Sequence, residues 1–69
     1  NVRRLDAGDV AVLPRADQVL HVIAGCAWIT LNQEDIIVQS GEKVTLYPGS
    51  YAPVISAAGN RQLVYEIIS

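Results

Sequence analysis

The sequence has 69 residues with one cysteine, one histidine and one tryptophan, and it contains neither methionine nor phenylalanine. With Cys26 as the single thiol, no disulfide can close within the chain. That excludes the small secreted scaffolds held by cystines and predicts a reducing, cytoplasmic setting. With His21 as the single imidazole, a transition-metal centre lacks the three or four converging ligands it needs. The seven acidic residues fall mostly at turns, so neither a metal nor another cofactor is expected. Charge is scarce: charged residues make up 17% of the chain, the formal net charge is −2 and the pI is about 5.0. The five basic residues, Arg3, Arg4, Arg15, Lys43 and Arg61, are scattered, which argues against a phosphate-neutralising surface and hence against nucleic-acid binding. No apolar run reaches the roughly 18–20 residues of a membrane span. The longest, from Val19 to Leu31, is interrupted by His21, Gly25 and Thr30. Phosphate-binding loops, dinucleotide fingerprints and Gly-x-Ser-x-Gly elbows are absent. The chain opens at Asn1 and is expected to be processed or part of a longer chain.

What the sequence does have is apolar side chains, at 51% of residues. A chain this short buries only about 60% of the surface that its unfolded form exposes. Some of those side chains are therefore expected to face another chain. They come in short runs of Val, Ile, Leu and Tyr separated by Gly, Pro, Asn and Asp, the signature of many short strands joined by tight turns. No stretch shows helical spacing behind a cap. Strands are predicted near 2–5, 9–13, 18–24, 26–31, 35–39, 42–47, 51–57 and 62–68, as one domain over 1–69. Connections this short favour antiparallel neighbours.

The chain also resembles itself. Leu5 to Leu13 aligns with Val38 to Leu46 at a shift of 33 positions, Gly8 meeting Gly41, Asp9 meeting Glu42, Ala11 meeting Val44 and Leu13 meeting Leu46. Val22 meets Ile55 and, after one inserted residue, Gly25 meets Gly59 and Ile29 meets Leu63. Two copies are too few for a solenoid. Two similar β-units closing into one barrel or sandwich are expected. Strand 43–47 alternates, with Val44 and Leu46 on one side and Lys43, Thr45 and Tyr47 on the other. Strands 19–24, 27–31 and 63–68 are apolar on both sides, which implies cover on both sides and predicts an association interface, most simply in a two-fold homodimer.

The run Gly25-Cys26-Ala27-Trp28-Ile29-Thr30-Leu31, followed by Glu34-Asp35, Gly41-Glu42-Lys43-Val44 and Tyr47-Pro48-Gly49, resembles the cupin pattern. It is most similar to a small bacterial cupin-like family of uncharacterised function, with the match spanning residues 4–68. The resemblance implies an all-β barrel or sandwich of seven to eight short strands, and no known activity. Catalytic cupins carry metal-binding histidines, one of them after a Pro-x-Gly turn. Here Ser50, Tyr51, Ala52 and Pro53 follow Pro48-Gly49, and none is an imidazole.

The candidate ligand or interface residues are Trp28, His21, Tyr47 and Tyr51. Trp28 is the only indole and suits a core or dimer contact better than a ligand platform. His21 is expected on a sheet face, hydrogen-bonded or partly buried; a Cys26–His21 dyad lacks an orienting third group. Tyr47, Tyr51 and Tyr65 are placed on the last three strands, where sheet packing outweighs a shared pocket rim. Three functions follow, in this order: a non-enzymatic homo-oligomeric assembly module, a small-molecule binding or sensing module using the barrel mouth, and a metal-dependent enzyme built on His21 and Cys26.

Overall fold

A computed structural model describes all 69 residues. It contains eight strands and no helix: β1 (Val2–Leu5), β2 (Val10–Val12), β3 (Gln18–Ala24), β4 (Cys26–Leu31), β5 (Glu34–Gln39), β6 (Lys43–Leu46), β7 (Val54–Ala57) and β8 (Leu63–Ile67). Every pairing is antiparallel, and the strands form two sheets of four, in the orders β1-β8-β3-β6 and β2-β7-β4-β5. The expected all-β architecture of seven to eight short antiparallel strands is therefore the observed one.

The turns explain why the strands end where they do. Between β1 and β2, Asp9 N–H donates to Asp6 C=O at 2.9 Å, and Asp6 N–H donates back to the Asp9 carboxylate at 3.3 Å. Between β5 and β6 the same device recurs: Glu42 N–H to Gln39 C=O at 3.0 Å, and Gln39 N–H to the Glu42 carboxylate at 2.7 Å. Gly8 and Gly41 take φ of +88° and +89° in these turns, a region open to glycine at little cost. The β4–β5 hairpin turns on Asn32 and Gln33, with φ of 52° and 66°. Positive φ at both central residues is the geometry that matches strand twist in a two-residue hairpin, and asparagine tolerates it well.

The internal repeat is the organising symmetry of the fold. A shift of 33 positions carries β1 onto β5, β2 onto β6 and β3 onto β7; with the one-residue insertion, β4 falls on β8. Exchanging each strand for its counterpart converts the order β1-β8-β3-β6 into β5-β4-β7-β2, which is the second sheet. The two halves thus do not form one sheet each. Each contributes two strands to both sheets, so neither half has a core without the other.

The sheets bury their facing sides against one another. Leu20, Val22, Leu46, Leu63 and Tyr65 come from the first sheet, and Ala27, Ile29, Val38, Ile55 and Ala57 from the second; Leu13 closes one end. These side chains fill the interior, so the fold has no open lumen. At about 25 cal/mol per Å² of apolar surface removed from water, such a core is the main favourable term, and its modest size keeps the domain marginal.

Several strand boundaries shift by one residue and the start of β7 by three, and two of these shifts move candidate residues. β6 stops at Leu46 and β7 starts only at Val54, so Tyr47 and Tyr51 lie in the connecting loop rather than on strands. Pro48 and Pro53 cannot donate to a ladder, and the loop's polar groups are satisfied elsewhere. Asn32 Nδ2 donates to Tyr47 C=O at 3.2 Å, and Gly49 N–H donates to Asn32 Oδ1 at 2.8 Å.

Candidate functional site: an apolar sheet face and an end cleft

The register places side chains on the outer faces. On the second sheet, one outward row runs Val10, Ser56, Trp28, Ile37 and the next runs Val12, Val54, Thr30, Asp35. Val10, Val12, Trp28 and Ile37 are 62%, 70%, 46% and 52% exposed, a large share of accessible apolar surface on one face of a small body. The only charge on those two rows, Asp35, sits on the edge strand and accepts from the Thr30 hydroxyl at 3.2 Å. On the first sheet, the corresponding row runs Val2, Glu66, His21, Lys43, with Arg4 on the neighbouring row; its exposed apolar residues are interspersed with charge.

The repeat makes this comparison position by position. At equivalent sites in the two sheets, Arg4 corresponds to Ile37, Lys43 to Val10, Thr45 to Val12 and His21 to Val54. At these four pairs the first outer face is polar and the second aliphatic; at Val2/Asp35, Ile23/Ser56 and Val64/Thr30 the sense is reversed. The second face therefore differs chiefly in gathering Val10, Val12, Trp28 and Ile37 together without a charge among them. Sheet propensity cannot account for the difference at these pairs, since backbone geometry is shared.

The four candidate residues do not converge. Trp28 stands in the middle of the apolar face on a central strand, with its indole half-exposed; it is neither in the core nor in a pocket. His21 is on the opposite sheet, where Nδ1 meets Glu66 Oε1 at 3.0 Å, so it is the hydrogen-bonded sheet-face residue anticipated. Tyr47 and Tyr51 are exposed on the β6–β7 loop, while Tyr65 is buried between the sheets, so the three phenols share no rim. Burial pushes the Tyr65 phenol above its ordinary value of 10.0, an effect that the nearby Arg3 charge partly opposes. Cys26 lies on β4 in the second sheet, whereas His21 lies on β3 in the first, and no three His, Cys, Asp or Glu side chains come together as a ligand set. The donors present do not fit a cupin-type metal centre.

Sequence reasoning missed a cleft of about 490 Å³ at one end of the barrel. Three turns wall it: Ala24–Cys26 between β3 and β4, Gln39 and Ser40 between β5 and β6, and Ala58–Arg61 between β7 and β8. Gly25 forms the closest approach. A Cβ added there would lie 2.5 Å from Gln62 C=O, so only glycine lets these two turns pack. The recurrence of Gly25 at Gly59 in the repeat was the one available signal, since it brings two equivalent turns to the same end.

Neither a family model nor a curated protein matches the chain. Solved structures do. A cupin protein from Bacteroides fragilis is similar at 23% identity and a TM-score of 0.74, over 96% of this chain and 58% of that one. A Thermotoga maritima protein described as a predicted oxalate decarboxylase is similar at 16% identity and a TM-score of 0.79, over 96% of this chain and 59% of that one. A Streptococcus pyogenes protein of unknown function is similar at 23% identity and a TM-score of 0.73, over 99% and 60%. The chain thus has the cupin-like fold and spans rather less than two-thirds of the length of these structures.

Proposed function

We propose that this cupin-like β domain is a non-enzymatic assembly module that pairs with a second copy of itself through the outer face of its β2-β7-β4-β5 sheet. The observation that carries the reading is the uncharged cluster of exposed Val10, Val12, Trp28 and Ile37 on one outer face, sharpened by four repeat-equivalent positions. Where the first sheet has Lys43, Thr45, His21 and Arg4, the second has Val10, Val12, Val54 and Ile37. Exposed apolar patches of this kind on a small soluble domain mark contact surfaces.

A second copy is the occupant that the face suits. A two-fold axis brings each patch onto its own image, so the patch must tolerate itself. This one does, because no charge lies at its centre and its lone acid is at the edge. Its size is also adequate. The Cα trace measures 30 × 21 × 16 Å, so one broad face is of the order of the roughly 800 Å² per partner that stable pairs bury. Trp28, flanked by Ile37 and Ser56, is the anchor in this reading, since tryptophan is enriched among the central residues that carry most contact energy.

The test uses the repeat as its own control. Val12→Lys introduces a charge into the patch, whereas Thr45→Lys introduces the same charge at the equivalent position of the other sheet. Solution mass is measured across a dilution series. The proposal requires wild type and T45K to be dimeric at micromolar concentration and V12K to be monomeric and folded. A wild-type chain that stays a folded monomer at high concentration removes it.

A further inference from the structure

We infer that the end cleft binds a small organic oxyanion, a carboxylate or phosphate ester, held by Arg61 and by the backbone N–H groups of the Gly59–Arg61 turn. This site is separate from the apolar sheet face and does not depend on pairing.

Charge comes first. The one contact between a basic side chain and a carboxylate within 4 Å joins His21 and Glu66, so the Arg61 guanidinium has no carboxylate partner. No acid lines the cleft. The carboxylates that border its turns are committed: Glu42 to Gln39 N–H at 2.7 Å, and Asp6 to the Gln62 side-chain amide at 2.9 Å. An unpaired cation facing a concavity free of acids is an attractive point for an anion, even in a chain of net charge −2.

The backbone points the same way. The N–H groups of Gly59, Asn60 and Arg61 are not among those that donate to a backbone acceptor outside the strands, and no side chain accepts from them. They are consecutive, and Gly59 has φ of +73°. Successive N–H groups around a left-handed residue make a concavity suited to oxyanions. A guanidinium beside it supplies fork-shaped, charge-assisted donors.

The volume sets the ligand's class. About 490 Å³ lies within the ~300–1,000 Å³ range of small-molecule sites, well beyond what a bare ion fills. The remaining wall combines the Gln39 and Asn60 amides and the Ser40 hydroxyl with the apolar Ala24 and Ala58. Ser40 Oγ donates to Ile23 C=O at 3.1 Å, which leaves its lone pairs for an incoming donor. A molecule with an oxyanion at one end and hydroxyl or amide groups along its body matches this lining.

The experiment is a backbone amide NMR titration of the intact chain at constant ionic strength, with inorganic phosphate in one arm and succinate in the other. At least one anion is expected to give saturable shifts confined to Gln39, Ser40, Gly59, Asn60 and Arg61, and the responding arm tells the phosphate source from the carboxylate source. Arg61 lies on an exposed turn, and the Arg61→Gln spectrum itself reports whether the fold is kept. Loss of one charge-assisted contact predicts binding weakened roughly ten- to hundredfold in R61Q, with R61K in between because lysine keeps the charge but not the fork. Shifts that do not saturate, that spread over the barrel, or that persist unchanged in R61Q would overturn the inference.

Discussion

Replacing Gly25 by alanine tests the packing of the barrel end in a way that can be worked from the structure. Gly25 has φ of +80°, and a Cβ there would stand 2.5 Å from Gln62 C=O and 3.2 Å from Leu63 Cα. Both neighbours are backbone, at the start of a strand whose Leu63 is fully buried, so they cannot move away as a flexible side chain would. The left-handed conformation costs an L-residue about 1–2 kcal/mol. Forcing a backbone shift on a packed strand adds roughly 1–3 kcal/mol, and the stiffer unfolded chain of the alanine variant offsets about 0.4–1 kcal/mol of that loss. The expected net loss is about 2–4 kcal/mol. Gly41 is the control: φ is +89°, yet nothing lies within 4 Å of an added Cβ, so only the strain of about 1 kcal/mol applies. Both variants and wild type are unfolded in urea at equal protein concentration, followed by circular dichroism, and compared at constant m. A Gly25→Ala midpoint no lower than that of Gly41→Ala would refute the close approach.

Two further outcomes follow from single residues. Because burial raises the Tyr65 phenol, the folded chain holds its proton more tightly than the unfolded chain does. That contribution is fully present below pH ~10 and is lost as pH climbs past it, so stability should decline in alkali and Tyr65→Phe should flatten the decline. A denaturation midpoint with the same alkaline slope in both proteins contradicts this. Asn32 both turns the β4–β5 hairpin and holds the Tyr47–Gly49 segment. Asn32→Ala should cost about 1–2 kcal/mol, and hydrogen exchange at the Gly49 amide should accelerate selectively; uniform acceleration would indicate global rather than local loss.

Much of the fold was legible because local chemistry and tertiary structure agree. The predicted 18–24 and 26–31 strands are the observed β3 and β4, separated by a glycine that no other residue replaces. The alternation of Lys43, Val44, Thr45 and Leu46 gave the correct inward pair. The repeat at a spacing of 33 announced two units, although not that each unit would give strands to both sheets; that follows from pairing between distant segments, which no local pattern encodes. Tyr51 and Ala52 read as strand because β propensity reflects packing on a pleated surface, yet they have no ladder partner, and Pro53 ends the possibility. The apolar face was visible only as strands with two greasy sides. Which side meets the core is set by register, and register alone put Trp28, Val10, Val12 and Ile37 together. Beyond the recurrence of Gly25 at Gly59, the cleft left no trace for the same reason: its three turns are far apart in sequence and meet only at the barrel end.

Trp28 is the chain's only tryptophan and sits at the centre of the proposed contact, so its emission reports directly on whether that face is covered. Fluorescence is recorded with acrylamide quenching while the protein is diluted from high micromolar to low nanomolar concentration. Self-pairing through this face predicts blue-shifted, quencher-protected emission that turns red and accessible along one dissociation curve, with Val12→Lys already at the dilute end point. Emission that is exposed and invariant at every concentration would contradict it.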